Sequence, residues 1–438
     1  MNRSAFVFVL LALVAACGKE DAPATPSLDS QLRDGLQRAS VAPIAQLPAQ
    51  NAALVDLGQA LFFDKILSGN RDISCATCHL PAVALGDGLS LSIGTGGTGA
   101  GPARTLGMGR QFVPRNSPSL LNVGFLGAGS VPMLFWDARV RRLASGSLVT
   151  PAGAALPADV TDVLTAQAMF PVVSRREMRG EPGESELAAF NDEQFVEIWQ
   201  AIMQRLLAIP EYVTKFDAAF PGTPTNALGF QHAAQAIAAF EKQALSAISS
   251  PFDRYLSGDN AALTFEQKRG GVLFFGSAQC SSCHSGPLLG GNNFANIGAP
   301  QLGPGAGVAA PLDSGFLNFV FRVPPLRNVE LAAPYMHAGA YATLQAAVRH
   351  YNDVAFAQQN FDVSQLAPVL RTTWHNEQTT FDQVLANLDP RLPPAGSLAD
   401  SRIVDELVAF LKSLTDPAAR DLSSLVPASV PSGLPIAD

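Results

Sequence analysis

Histidine is scarce in this sequence, and neither a long apolar run nor an excess of positive charge is present. The 438 residues include six histidines, with none between His79 and His232, and the apolar stretch near the N-terminus has twelve residues, 5–16. Twelve residues are too few to cross a bilayer core of roughly 30 Å. Acidic residues outnumber basic ones by 37 to 29, for a net charge of −8, which argues against binding of nucleic acid.

The composition is that of an ordinary globular protein. Hydrophobic residues make up 47% of the chain and charged residues 15%, so a large core can be buried and disorder is not expected. The length favours two domains over one. Since no convincing run of alternating strands is visible, we predict a mainly α fold with long loops.

The N-terminus is typical of an exported bacterial protein. We predict a signal peptide at residues 1–16, because a short apolar stretch ends in small residues. One interpretation is a plain secretory peptide cut near Ala16. The interpretation that we favour is a lipoprotein anchored through Cys17, with residues 17–48 as a polar tether and the domains on the periplasmic face of a membrane.

Four of the five cysteines lie in two C-x-x-C-H motifs, which are Cys75, Cys78 and His79, and Cys280, Cys283 and His284. In c-type haem attachment the two thiols bind the porphyrin and the adjacent histidine binds iron. A zinc site is the alternative, since cysteine and histidine are also zinc ligands. We favour two covalent haems because each cysteine pair is followed at once by histidine.

The sequence around the motifs is repeated. Both motifs follow a Gly-x-x-Leu-Phe-Phe segment, which predicts two tandem c-type cytochrome domains, at residues 49–222 and 223–415. The Pro- and Gly-rich residues 220–226 mark the boundary, between helices predicted over 192–209 and 230–248. Residues 416–438 are predicted to form an extended, poorly ordered tail.

Over residues 54–414 the sequence resembles the bacterial di-haem cytochrome c peroxidases and their relative MauG, the enzyme that matures methylamine dehydrogenase. The resemblance is carried by ordered blocks, which are LGQALFFDKILSGNRDISCATCH, RNSPSLLN, FWDAR, EM at 177–178, SPFDRYLSG and FRVPPLRNVELAAPYMHAGAYATL, besides the second haem motif. It implies an oxidoreductase that acts on peroxide.

At the His79 haem, the resemblance implies an open face for peroxide. In many peroxidases of the family a histidine caps this iron, and the matching position here is Thr95, whose hydroxyl is a poor ligand for haem iron. Glu177 matches the family's distal glutamate, and Gln167 its companion amide. From the residues alone, Glu177 would be read as a solvated charge among arginines.

At the His284 haem, the resemblance implies tyrosine as the second iron ligand. Tyr351 occupies the position of the peroxidases' methionine, as a tyrosine does in MauG. Alternatives are that Tyr351 is a core aromatic at helical spacing, that the neighbouring His350 is the ligand, or that Met336 is. A phenolate favours ferric and higher states.

Two further roles are implied by the resemblance alone. Trp136 matches a tryptophan between the two haems that can relay charge, although most tryptophans are core residues. The family also binds one calcium, which implies Asn116 and the main-chain carbonyls of Ala332 and Pro334 as oxygen ligands.

Three functions remain open on this basis. The first is a peroxidase that reduces hydrogen peroxide with electrons from a small periplasmic cytochrome c or copper protein. The second is a MauG-like enzyme that oxidises residues of a partner protein through a high-valent di-haem state. The third is a non-catalytic electron carrier, against which Thr95 and Glu177 argue.

Overall fold

A computed structural model of the chain describes residues 26–126, 132–305, 311–312, 315–316 and 318–436. The predicted signal peptide and Cys17 lie outside these residues. Within them, no helix has the length and apolar character needed to cross a membrane.

The described residues are mainly helical, as predicted. The α-helices are α1 Leu28–Arg38, α2 Ala52–Phe63, α3 Cys75–Cys78, α4 Val123–Leu126, α5 Val163–Ala168, α6 Phe195–Leu207, α7 Pro210–Ala219, α8 Phe230–Ala244, α9 Pro251–Leu256, α10 Phe265–Phe274, α11 Leu344–His350, α12 Val354–Gln359, α13 Gln378–Leu385 and α14 Ser401–Lys412. The helices expected over 192–209 and 230–248 are confirmed as α6 and α8.

The strands are short, and each has two or three residues. They are β1 Met133–Leu134, β2 Val140–Arg142, β3 Leu148–Val149, β4 Phe294–Ala295, β5 Pro311–Leu312, β6 Gly315–Phe316 and β7 Phe321–Arg322. Strands β1, β2 and β3 form one antiparallel sheet, β4 pairs with β7, and β5 pairs with β6.

The two repeated segments lie on α2 and α10, and each of these helices begins at a side-chain cap. The Asn51 side chain accepts hydrogen bonds from the N–H groups of Ala53 and Leu54. Thr264 and Gln267 form a reciprocal capping box at the start of α10. Such caps satisfy N–H groups that have no partner within the helix.

The glycine of each repeat allows a close helix crossing. A Cβ atom on Gly58 would lie 1.9 Å from the Ala236 carbonyl oxygen in α8, and one on Gly270 would lie 1.8 Å from the Glu406 carbonyl oxygen in α14. Both positions therefore require glycine, because no Cβ atom fits at such distances. The repeat in the sequence thus corresponds to the same crossing made twice.

The buried apolar residues form two clusters; Cys75 and Cys78 of the first motif pack against one, and Cys280 of the second motif packs against the other. The first is built on α2 and α5 to α8, and the second on α1, α9 to α11 and α14. The second cluster also includes Leu91, Ile93 and Phe112 of the N-terminal half, so the clusters do not divide the chain at a single point. The boundary at 222/223 stays a prediction, and residues 220–226 connect α7 and α8, which both belong to the first cluster.

Part of the predicted tether, residues 17–48, is folded. Residues 28–38 form α1, and Leu32 and Leu36 of this helix are buried in the second cluster. A Cβ atom on Gly35 would lie 2.6 Å from Cβ of Phe275, so α1 approaches the end of α10 closely. A polar tether can therefore extend only up to the start of this helix.

The predicted tail, residues 416–438, is held against the first cluster over its described part. The Ser432 hydroxyl donates to the Asp64 carboxylate at 2.6 Å, and Tyr212 donates to the same group at 2.8 Å. Ala419 and Val430 are buried. Because the Asp64 carboxylate is fully buried, its hydrogen bonds compensate for lost hydration and order this segment, contrary to the expected poor order.

Replacing either repeat glycine by alanine should destabilise the protein. Gly58→Ala or Gly270→Ala forces a methyl group against a helix backbone, and such overpacking costs about 1–3 kcal/mol. Urea unfolding of the haem-loaded protein measures the loss. Gly86→Ala is the control, since its Cβ would have 3.5 Å of clearance; equal midpoints for all three variants would contradict the proposed crossings.

Candidate active site

The His79 side chain is oriented by a hydrogen bond to the main chain. Its Nδ1 atom lies 3.0 Å from the Leu85 carbonyl oxygen, which can only accept, so Nδ1 carries the proton and Nε2 is the unprotonated nitrogen. Burial lowers the His79 pKa to about 4, which keeps the ring neutral. A neutral imidazole held in this way through its other nitrogen is suited to bind iron.

The His284 side chain is held in the same way. Its Nδ1 atom lies 3.0 Å from the Leu289 carbonyl oxygen, and burial lowers its pKa to about 4. Among the described residues, no group of three or more histidines, cysteines and acids is placed to hold a metal ion. The four motif cysteines therefore do not form the zinc site that was the alternative.

A cavity of about 720 Å³ collects most of the residues predicted for the first haem site. Its size lies within the roughly 300–1,000 Å³ typical of ligand pockets. The predicted residues in its wall are Cys75, Cys78, His79, Asn116, Trp136, Gln167, Glu177, Ala332 and Pro334. Because Ala332 and Pro334 follow the second haem motif in the chain, both halves of the molecule build this cavity.

The cavity suits a ligand that bears carboxylates. Arg322 and Arg327 lie in its wall, and one guanidinium nitrogen of each, Nη1 and Nη2 respectively, is buried with no hydrogen-bond partner. Burial lowers the Arg322 pKa to about 10. A buried N–H without an acceptor is costly, and the two propionates of a haem would supply acceptors. The residues present therefore fit a haem.

Thr95 does not lie in the cavity wall. Its hydroxyl donates to an Asp72 carboxylate oxygen at 2.8 Å and accepts from the Asn70 amide at 3.1 Å. Its main-chain N–H donates to the Glu177 carbonyl oxygen at 2.8 Å. The Thr95 side chain thus makes its hydrogen bonds outside the cavity, and its main-chain N–H holds the segment that contains Glu177.

Glu177 faces the cavity from a single π-helical turn, Arg175–Arg179. Arg175 and Arg179 both form ion pairs with Asp192, so they do not neutralise Glu177. Burial raises the Glu177 pKa, and the positive charge of Arg139, whose Nη2 lies 3.8 Å from Oε1, opposes that rise. Two opposed effects of this kind suit a carboxyl that takes up and releases a proton.

Trp136 connects the two halves of the cavity wall. Its indole N–H donates to the Asn116 carbonyl oxygen at 2.9 Å, and its own carbonyl oxygen accepts from the main-chain N–H of Arg322 at 2.9 Å. The Asn116 amide nitrogen donates to the Leu89 carbonyl oxygen at 2.7 Å. Of the Asn116 side chain, the oxygen is therefore the atom that could bind a cation.

Tyr351 lies at the C-terminal end of α11, close to the second haem motif. Burial raises the pKa of its phenol, and Tyr351 and Cys280 both pack against the second cluster. Its ring also packs edge-on against His350, with 5.4 Å between centroids. The position agrees with the predicted ligand role, and the core-aromatic alternative stays open.

The two other candidate ligands of the second iron are placed differently. His350 is 1% exposed, and both of its ring nitrogens are engaged, Nδ1 with the Tyr341 hydroxyl at 2.9 Å and Nε2 with the Ile297 carbonyl oxygen at 2.7 Å. Met336 lies in the wall of the first cavity. Neither arrangement supports a ligand role at the second haem.

Comparison with known proteins gives the family. Residues 52–261 match the family described as di-haem cytochrome c peroxidase. The chain is 34% identical over 314 residues to the cytochrome c551 peroxidase of Pseudomonas aeruginosa, covering 69% of this chain and 73% of that one. The chain belongs to the di-haem cytochrome c peroxidase family. It is also 31% identical over 298 residues to the methylamine utilization protein MauG of Methylorubrum extorquens, covering 68% of each chain.

Solved structures share the fold of this family member. A MauG-like protein associated with microbial copper homeostasis matches with a TM-score of 0.58 at 24% identity, over 94% of this chain and 99% of that one. The diheme peroxidase BthA from Burkholderia thailandensis matches with a TM-score of 0.56 at 21% identity, over 90% and 95%. As a member of the family, the protein is an oxidoreductase that acts on peroxide and uses haem.

Several residues in the wall of the 720 Å³ cavity were not predicted from the sequence. Besides Arg322 and Arg327, the wall contains Glu241 of α8, whose Oε2 atom is buried without a partner. Burial raises its pKa to about 8, and the charge of Asp162 adds to the rise. A glutamate on the apolar face of a predicted helix was the available signal for Glu241.

Removing the phenol of Tyr351 should alter the second haem. Tyr351→Phe keeps the ring but cannot bind iron, so we expect the visible and electron paramagnetic resonance (EPR) spectra of that haem to change. Tyr255→Phe is the control, because Tyr255 is buried under α1 and its hydroxyl points to a main-chain carbonyl. Unchanged haem spectra in Tyr351→Phe would show that Tyr351 is a core aromatic.

Proposed function

We propose that this enzyme is a periplasmic di-haem peroxidase. It reduces hydrogen peroxide to water at the His79 haem and receives electrons through a second haem, attached to Cys280 and Cys283 and bound by His284 and Tyr351. The reaction consumes two electrons and two protons for each peroxide and yields two waters.

The proposal rests on where two side chains lie: Thr95 lies outside the cavity wall, and Glu177 lies in it. The Thr95 hydroxyl is satisfied by Asp72 and Asn70, whereas Glu177 and Gln167 lie in the cavity wall beside the His79 motif. Peroxide chemistry needs an accessible iron and a group that moves protons. The loop after the first motif leaves the iron accessible, and Glu177 is the group that moves protons.

The residues of the cavity have distinct tasks in this mechanism. A bound haem supplies the iron that binds peroxide and the route for electrons. Glu177 takes a proton from one peroxide oxygen and delivers it to the other, and Arg139 stabilises the carboxylate between these steps. Gln167 orients peroxide by hydrogen bonding. Burial keeps His79 neutral, and the Leu85 carbonyl holds its Nδ1–H.

Electrons are proposed to reach this site from a small periplasmic cytochrome c or copper protein. Trp136 is the relay, because it is hydrogen-bonded to both halves of the wall and an indole is easily oxidised. A calcium ion bound by Asn116 and the carbonyls of Ala332 and Pro334 would stabilise the same wall.

The location follows from the predicted export signal. We propose that Cys17 carries the lipid anchor and that the enzyme stands on the periplasmic face of a bacterial membrane. Since α1 packs on the second cluster, a tether from Cys17 would end where α1 begins, at residue 28.

A second function, oxidation of residues in a partner protein, is favoured by one observation. Tyr351, and not a methionine, packs against the same cluster as Cys280 of the second haem motif, and a phenolate stabilises oxidised iron. Two relatives named methylamine utilization protein MauG are 31% and 29% identical to this chain over the aligned residues. The third candidate, a carrier without catalysis, is set aside because the family consists of enzymes that act on peroxide.

Replacing the proton-moving carboxyl should slow the reaction with peroxide. General acid–base groups contribute about 100- to 10,000-fold, so Glu177→Gln should react at least about 100-fold more slowly in stopped-flow mixing of ferric protein with hydrogen peroxide. The exposed Glu193→Gln is the matched control. A Glu177→Gln rate equal to that of wild type would contradict the assigned role.

The same mixing experiment distinguishes the two candidate functions. With a reduced small cytochrome c present, the peroxidase proposal predicts repeated turnover without prior reduction of the enzyme. Fast oxidation of the haems combined with poor turnover of the cytochrome would favour protein oxidation. An unreactive ferric protein would contradict the open His79 site.

A further inference from the structure

Asp72 joins two loops that both contact the turn containing Glu177. One oxygen of the Asp72 carboxylate accepts from the Thr95 hydroxyl at 2.8 Å, and the other accepts from the main-chain N–H of Gly96 at 2.6 Å. Both oxygens of one carboxylate therefore bind consecutive residues of the other loop. Asp72 lies outside the cavity wall and has no task in the peroxide chemistry described above.

Each of the two loops binds one main-chain carbonyl of the π-helical turn. The N–H of Gly69 donates to the Met178 carbonyl oxygen at 2.7 Å. The N–H of Thr95 donates to the preceding carbonyl of the turn, that of Glu177, at 2.8 Å. Because the two carbonyls are consecutive, a shift of one loop relative to the other would change the direction of the Glu177 backbone. The hydrogen bonds of Asp72 oppose such a shift.

The two loops also pack directly on the backbone of this turn. A Cβ atom on Gly94 would lie 1.9 Å from the Arg176 carbonyl oxygen and 2.4 Å from that of Glu177. A Cβ atom on Gly69 would lie 1.9 Å from the Arg179 carbonyl oxygen. No side chain fits at such distances. The position of the turn therefore depends on the position of both loops.

The loop that contains Thr95 is itself held in shape by Arg104, which is 4% exposed. The Arg104 guanidinium donates at 2.7 to 2.9 Å to three carbonyl oxygens of the loop, those of Ile93, Gly94 and Gly99. Hydrogen bonds from a charged donor are stronger than those between neutral groups. Residues 93–99 thus form a fixed surface for the turn, and Asp72 sets where this surface lies relative to the other loop.

We propose that Asp72 is a positioning residue for the reaction with peroxide: by joining the two loops, it keeps the Glu177 carboxyl at the place in the cavity where it transfers a proton. The inference rests on the proposed function, because the proton transfer by Glu177 is what requires this placement. A general acid–base group must lie within hydrogen-bond reach of the proton that it moves. A misplacement of about 1 Å can cost about 100-fold in rate.

The Thr95 hydroxyl is the part of the link that a substitution can remove with little change in packing. Besides donating to Asp72, this hydroxyl accepts from the Asn70 amide at 3.1 Å. Thr95→Val removes both bonds but keeps the branched side chain and the main-chain N–H. Thr95→Ser keeps the hydroxyl and loses the methyl group. The two variants therefore separate the hydrogen bonds from the packing.

Stopped-flow mixing of the ferric, haem-loaded protein with hydrogen peroxide measures the effect on the reaction. We expect Thr95→Val and Asp72→Asn to react about 10- to 100-fold more slowly than the wild type, and Thr95→Ser to react at nearly the wild-type rate. In a Glu177→Gln background, Thr95→Val should cause little further loss, because the group that it positions is already removed. The control is Ser432→Ala, which removes a hydroxyl that donates to the Asp64 carboxylate outside the cavity wall and should keep the rate.

Amide hydrogen exchange of the haem-loaded protein tests the link without reference to activity. An asparagine at position 72 can accept at only one of its two polar atoms, so one bond to the other loop is lost. In Asp72→Asn, peptides that contain residues 93–99 and residues 175–179 should therefore both exchange faster than in the wild type. Faster exchange in 93–99 alone would overturn the inference, because the turn would then be held without Asp72.

Three kinetic results would also overturn the inference. They are a wild-type rate in Thr95→Val or Asp72→Asn, a Thr95→Ser rate as low as that of Thr95→Val, and an equal fold-loss from Thr95→Val with and without the Glu177 carboxyl. Each of them leaves the peroxidase function standing, because the wild type still reacts with peroxide. If ferric wild-type protein consumes no peroxide, the proposed function fails and this inference fails with it.

Discussion

The orientation of the two motif histidines is the constraint on which the other features of the structure depend. The Nδ1 proton of His79 is held by the Leu85 carbonyl, and that of His284 is held by the Leu289 carbonyl. This bond selects the tautomer and directs Nε2 away from the loop. A haem attached to the neighbouring cysteines would be held by Nε2 of the histidine, and the residues that lie around it would decide its chemistry.

What lies there differs between the two haem motifs. At the first, the loop that satisfies the Thr95 hydroxyl also holds the backbone of Glu177, the carboxyl to which we assign proton transfer. At the second, Tyr351 packs against His350, which is hydrogen-bonded to Tyr341. Under the proposed function, Glu177 moves protons at the first site and Tyr351 binds iron at the second.

Much of this could be predicted where the signal is local. The C-x-x-C-H motifs, α6 and α8 follow from short-range spacing and periodicity, and the resemblance to the family placed Glu177, Gln167 and Trp136 around one cavity. Long-range contacts could not be read in the same way. The crossing at Gly58, the bond from Ser432 to Asp64 and the burial of Arg322 join segments far apart in the sequence, which is why the order of the tail differs from expectation.

The central claim is that no side chain binds the iron opposite His79. The most direct test is the EPR spectrum of the resting, fully ferric protein at low temperature. The claim predicts one high-spin haem, from the His79 site, together with one low-spin haem, from the His284 and Tyr351 site. Two low-spin haems would contradict it, and would show that a side chain of the cavity wall, such as Met336, occupies the position reserved for peroxide.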